Sequence, residues 1–298
     1  MYKLPVWNTI GETYRFIWSE RGAWLNHILG PMLLLGLLSA ALPLLGFDAL
    51  TPQSPEDFLE NMPIKSFLVG FAVVALLFIA IYITFVVAWH RRYLLGPENT
   101  SARELKTWKR RHWVLIGRAI QLVFFMFLVF IVVALVVGLP VGLIVNFPIG
   151  SGVDGTTIFE IIGLIVGGWT ISLFVSVWMI GTWLMFPAAA VEDRGFGIRK
   201  SMSLVRSNRW RMFAIFLVGS VWRMFAVQIV LSGITIGIVF VVFASAGGLP
   251  DIPFAVELLM GIVSVAFYFL AVAIGVSMLS LIYRRLRDTV PLDEPEAA

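Results

Sequence analysis

The sequence predicts an all-α polytopic membrane protein with six transmembrane helices. Three observations carry that prediction. Of 298 residues, 59% are hydrophobic and only 13% charged, and the mean hydropathy is +0.93. Soluble domains are about 45–50% apolar and about 25% charged, and at this size a soluble fold still needs a polar shell. Several apolar runs reach the ~20 residues that cross a ~30 Å hydrocarbon layer. Basic residues are also confined to alternate loops. Together these exclude a soluble enzyme, a disordered chain and a nucleic-acid-binding domain.

The elements follow in order. The first 22 residues, MYKLPVWNTIGETYRFIWSERG, mix polar and aromatic side chains. They lack the short apolar core and small-residue site of a cleaved signal peptide, so the first apolar run is expected to stay in the membrane. Apolar runs between charges place spans at about 23–46, 65–89, 117–142, 160–187, 222–246 and 255–283. The third and fifth lie in apolar stretches longer than one upright span requires, which predicts tilt or an interfacial turn ahead of the span. Pro31, Pro43 and Pro140 are expected to kink or end spans, and Pro187 to mark the exit of the fourth.

The alternate segments beginning with the N-terminus carry 21 of the 22 Lys and Arg residues, while the other side holds only Lys65. Acidic residues are split almost evenly, ten to eight, so the net charges are +11 and −7. By the positive-inside rule both termini are cytoplasmic, and the basic pI of about 9.6 reports membrane sidedness rather than a nucleic-acid partner. Trp18, Trp24, Trp89, Trp108, Trp113, Trp183, Trp210 and Trp222 fall near the expected cytoplasmic ends, where indoles favour the headgroup layer. Trp169 and Trp178 fall inside span four and are expected to pack there.

The cytoplasmic segments resemble one another. ETYRFIWSERGAW, RELKTWKRRHW and RKSMSLVRSNRW each join basic and apolar residues and end in Trp24, Trp113 or Trp210. His90 and Pro187 each lie 23 residues before their tryptophan. The chain therefore reads as one six-span domain over 1–288, arranged as three hairpins with amphipathic cytoplasmic segments. The candidate repeat units are 1–92, 93–190 and 191–288, followed by a short acidic tail, 289–298. Slight residue identity between the units leaves chance periodicity open beside true repetition. The amphipathic segments suit contact with anionic lipid, at about 1 kcal/mol per basic residue near the surface, as well as a purely topological role. Lys106, Lys109, Arg110, Arg111, Arg199, Lys200, Arg206 and Arg209 are the candidate lipid or partner contacts.

Signals for chemistry are sparse. There is no cysteine, hence no disulfide framework or thiolate chemistry. His27, His90 and His112 lack metal-ligand spacing, even if Glu104 or Asp193 is added. No G-x-S-G, G-x-G-D or P-loop motif occurs. The outer loop IGSGVDGTTIFE is glycine-rich but has no Lys or Arg beside it, so it reads as a connection. Catalytic residues, cofactors and metals are therefore expected to be none. Arg223 and Gln228 are the candidate intramembrane polar residues. Arg223 is either deep, if span five begins near Met212, or an interfacial anchor, if it begins near Trp222; its pairing with Trp222 favours the second. Gly163 and Gly167, Gly233 and Gly237, and Ala271 and Gly275 have the spacing that lets helix backbones approach.

The run 186–213, FPAAAVEDRGFGIRKSMSLVRSNRWRMF, resembles the small apolar–acidic–Gly–basic–Ser–x–x–Leu–x–x–x–x–Trp pattern of YciC-like six-helix inner-membrane proteins. That family is related to the membrane domain of some glycerophosphodiester phosphodiesterases. The matching positions are Pro187, Glu192, Gly195, Lys200, Ser201, Leu204 and Trp210. The phosphodiesterase domain has no counterpart here, since only DTVPLDEPEAA follows Arg287, so the resemblance implies a membrane module without that catalysis. The functional expectation is a non-enzymatic, multi-pass protein of the inner cell membrane. It would organise lipid, chiefly anionic, or serve as an accessory or assembly subunit of a membrane complex, with subunits or a homo-oligomer as further partners. The alternative is a transporter or permease subunit working with a cytoplasmic ATPase. A lipid-acting enzyme with an unrecognised site is a third reading.

Overall fold

A computed structural model describes residues 2–41, 64–97, 107–133, 173–193, 195–221 and 254–289, with isolated positions between 135 and 171 and between 225 and 237. All regular structure among the described residues is helical. The helices are α1 (Val6–Ser19), α2 (Arg21–Ala41), α3 (Ile64–Leu95) and α4 (Arg110–Val133). A 3₁₀ segment (Ile180–Leu184) leads into α5 (Met185–Ala190), followed by α6 (Ile198–Val205) and α7 (Arg209–Phe216). A π turn (Leu217–Val221) continues α7, and α8 (Phe254–Thr289) is the last element.

Four stretches among the described residues are long and apolar enough to cross a membrane: Ala72–Leu95, Arg110–Val132, Leu173–Ala190 and Leu258–Thr289. They correspond to the second, third, fourth and sixth expected spans. The first expected span is helical over Arg21–Ala41. Most of the fifth, with Trp222 and Arg223, lies outside the described residues, as do Lys106, Glu104, Trp169, Gly163, Pro43, Pro140 and the tail beyond Thr289.

Helix boundaries differ from the hydropathy boundaries in a consistent way. α3 runs on through Trp89-His90-Arg91-Arg92 to Leu95, α4 starts at Arg110 rather than 117, and α8 continues to Thr289. Arginine and leucine are good helix formers, so the helix outlasts the apolar run. Pro31 lies within continuous α2 instead of ending it. Pro187 is the third residue of α5 rather than an exit point. The preceding turn is 3₁₀, which already departs from the regular i→i−4 ladder that proline interrupts.

α8 organises the bundle, packing most extensively on α2 and then on α3 and α1. Its contact with α2 needs a glycine. A Cβ on Gly36 would stand 2.5 Å from Ile262 Cγ1 and 3.2–3.3 Å from its backbone N and Cα, so the Ile262 side chain and the facing backbone would both have to give way. At Gly167, Gly233, Gly237 and Gly275, all expected at close contacts, a Cβ would meet no described atom within 4 Å. One core cluster lies between α2, α3 and α8 around Ile28, Leu35, Phe85, Trp89 and Phe269. A second joins α1, the 3₁₀ segment, α6, α7 and α8 around Ile10, Leu184, Val205, Met212, Ile215 and Ile282. α4 instead exposes Ile120, Val123, Phe124, Phe127 and Phe130, an apolar face that suits lipid contact.

Candidate lipid-facing collar and cleft

The N-terminal segment is fastened to the bundle by polar bonds that surround a buried leucine. Leu4 is fully buried, and its N–H donates to Asn208 Oδ1 at 2.9 Å. Asn208 Nδ2 donates to Tyr2 O at 3.0 Å, and Arg211 Nη1 to Leu4 O at 2.9 Å. Asn208 occupies the N-cap position of α7, yet its side chain makes no capping bond; it holds the chain terminus instead. Further along α1, Tyr14 Oη donates to Gly219 O at 2.6 Å in the π turn.

α1 presents three different edges. Ile10, Thr13 and Ile17 are buried against the bundle. Glu12 lies on one flank and accepts from Arg284 at 3.1 Å and from Arg285 at 2.5 Å. Arg285 also donates to Thr9 Oγ1 at 2.6 Å. Trp7 and Trp18 lie eleven residues apart, so at 3.6 residues per turn they share the opposite flank, and they are 73% and 72% exposed. Arg21 stacks over Trp18 at 5.1 Å. Glu20 closes the helix end with a 2.5 Å ion pair to Arg92.

Of the candidate contacts, Lys109, Arg110, Arg199, Lys200 and Arg206 are exposed. Trp108, Trp113, Trp183 and Trp210 are exposed as well. Arg111 departs from expectation as a surface contact: it is buried, 5% exposed, beside α5 and the 189–193 turn. Arg209 is half-buried with its guanidinium 5.9 Å over the Trp178 ring, which is itself partly exposed rather than packed away. Gln228 is helical and exposed.

Trp89 is fully buried instead of interfacial. Its Nε1 donates to Ser277 Oγ at 2.8 Å, and its ring stacks on Phe85. The histidines do not converge. His90 Nδ1 bonds Ser280 Oγ at 2.7 Å, His112 bonds the backbone of Lys109, and no group of three metal-ligating side chains occurs among the described residues.

Two clefts meet at the turn after α5. One, lined by Arg110, Arg111 and Arg118, is bounded by Glu192 and Asp193. The other lies between that same turn and the ends of α3 and α8. Arg91 Nη1 donates to Ala190 O at 3.2 Å, placing a cation on the carbonyl end of α5. Asp193 Oδ2 accepts from Tyr283 Oη at 2.7 Å. Ser201 Oγ donates to Gly181 O, which ties α6 to the 3₁₀ segment. The sequence pattern points to the basic residues here but not to Glu12 or Asn208, whose roles depend on partners distant in the chain.

Comparison with protein-family models, curated proteins and solved structures yields no match to this chain, so the geometry of the collar and clefts is what bears on its function.

Proposed function

We propose that this chain is a non-enzymatic integral membrane protein that engages anionic lipid through its basic end, organising lipid or supporting assembly of a membrane complex. In this reading the basic end faces the cytoplasm of an inner membrane, both termini lie on that side, and the architecture is the six-span module suggested by the resemblance to YciC-like proteins. One observation carries it: exposed indoles stand beside cations, Trp18 under Arg21 and Trp108 and Trp113 next to Lys109 and Arg110. Trp7 and Trp18 project from a helix whose other flank is ion-paired to α8, with Trp108, Trp113, Lys109 and Arg110 at the start of α4. Indoles favour the headgroup layer, and each nearby Lys or Arg adds about 1 kcal/mol of attraction to an anionic surface.

The test is neutralisation of Lys109, Arg110, Arg199, Lys200 and Arg206 together, with glutamine at each. Protein purified from nanodiscs containing phosphatidylglycerol should then retain several-fold less of that lipid, with its fold intact by circular dichroism. Unchanged lipid content and unchanged stability after delipidation would overturn the reading.

A further inference from the structure

A cleft of about 600 Å³ opens between the last turn of α3, the turn after α5 and the last two turns of α8. Leu94 and Leu95 form its apolar side; Glu192 and Asp193 share it with Tyr283, Arg284 and Arg287, with Asp288 beside them. Its helices are the ends of the spans Ala72–Leu95 and Leu258–Thr289, which places it at headgroup level rather than in the hydrocarbon.

Two of the five charges in the cleft are already committed. Arg284 pairs with Glu12 at 3.1 Å and stacks over Tyr93 at 5.1 Å, and Asp193 is held by the Tyr283 hydroxyl. Glu192, Arg287 and Asp288 are different. Among the described residues none of the three has an oppositely charged partner within 4 Å, although all line this one cleft. Arg287 rests over the Tyr283 ring at 5.8 Å.

Glu192 is also held in an unfavourable backbone conformation. Its φ is +62°, alone among the described non-glycine residues. Asp193 N–H donates to Ala188 O and Glu192 N–H to Ala189 O, the paired bonds that end a helix with a left-handed residue. Glycine is the usual occupant, because a Cβ there crowds the following carbonyl oxygen. A glutamate in this position, sharing a cleft with an arginine it does not pair with, suits a ligand that carries both signs of charge.

We propose that this cleft binds a phosphoethanolamine group, with the phosphate on Arg287 and the free edge of Arg284 and the primary ammonium on Glu192. Guanidinium groups match phosphate oxygens bidentately, and a carboxylate accepts from an ammonium's N–H donors. A quaternary ammonium would instead need an open aromatic face, and the tyrosine ring that lines the cleft, Tyr283, is buried and covered by Arg287. The assignment rests on the reading that the protein engages lipid, but it uses residues outside the collar.

Native mass spectrometry of the full chain, released from nanodiscs of equal phosphatidylethanolamine, phosphatidylcholine and phosphatidylglycerol, tests the site. Phosphatidylethanolamine should be retained at least ~10-fold over phosphatidylcholine, and Glu192→Gln and Arg287→Gln should each reduce that retention by at least ~10-fold, the effect of losing one charge-assisted bond of about 1.4 kcal/mol. Displacement by soluble glycerophosphoethanolamine would place the ligand's source in water, and resistance to it would place the source in the bilayer; both support the site. Glu192→Gly should raise the melting temperature while losing the lipid, which a merely structural Glu192 would not do. Equal retention of the choline lipid, or full retention by both Gln variants, would overturn the proposal. The collar variant keeps the cleft intact, so loss of phosphatidylglycerol with phosphatidylethanolamine unchanged separates the two readings.

Discussion

Replacing Asn208 with alanine should release the N-terminal segment from the bundle. The substitution removes the acceptor for the Leu4 N–H, which lies in a fully buried residue, and the donor to Tyr2 O. A buried donor left unpaired costs about 1–3 kcal/mol, and a lost, partly buried hydrogen bond about 0.5–1.5 kcal/mol. Together they come to about 2–4 kcal/mol. Since about 1.4 kcal/mol is tenfold, local opening of residues 2–5 should become roughly 30- to 700-fold more frequent. Hydrogen exchange of an N-terminal peptide, followed by mass spectrometry in nanodiscs, reads that change directly. Arg211→Ala removes the third bond to the same segment, from its guanidinium to Leu4 O. If the three bonds act as one fastening, the double variant should cost clearly less than the sum of the singles, because a segment already released has nothing further to lose. Unchanged exchange in the Asn208 variant, or strictly additive costs, would refute this account of how α1 is held.

Three further outcomes follow from the packing. Gly36→Val should destabilise the α2–α8 contact by more than about 2 kcal/mol, because the Ile262 backbone stands in the way; a thermal melt in detergent checks this, and a neutral result would mean that the helices separate freely. Trp89→Phe should cost about 2–4 kcal/mol by opening space and stranding the Ser277 hydroxyl, measured by the same melt. Glu12→Gln should cost only about 0.5–1 kcal/mol, since the carboxylate is 39% exposed, and salt should shrink the difference between variant and parent.

Hydropathy makes the membrane helices legible because mid-membrane residues must be apolar whatever their neighbours. It misplaces the helix ends because it measures immersion, whereas Arg91, Arg92 and Arg285 continue a helix beyond the apolar run. Trp89 reads as interfacial from its position beside His90 and two arginines, yet α8 covers it. The small-residue spacings name glycines, but the close approach occurs at Gly36, which has no partner glycine four residues away. Nothing local marks Glu192 as left-handed: Gly195, three residues on, is the more natural turn residue. Asn208 reads locally as a helix cap, and only its bonds to Tyr2 and Leu4 at the far end of the chain show its use.

The fastening of α1 also sets an order of assembly during synthesis. Arg92 and Tyr93 meet it from α3, but Asn208, Arg211, Gly219, Arg284 and Arg285 all lie in the last third of the chain. At about 5–20 residues per second, a ribosome needs roughly 13–53 s to travel from the end of α1 to Arg285. Throughout that interval α1 lacks part of the surface on which it finally docks. Its Trp7 and Trp18 flank gives it a place to wait at the membrane surface, so α1 is made well before it can take its final position.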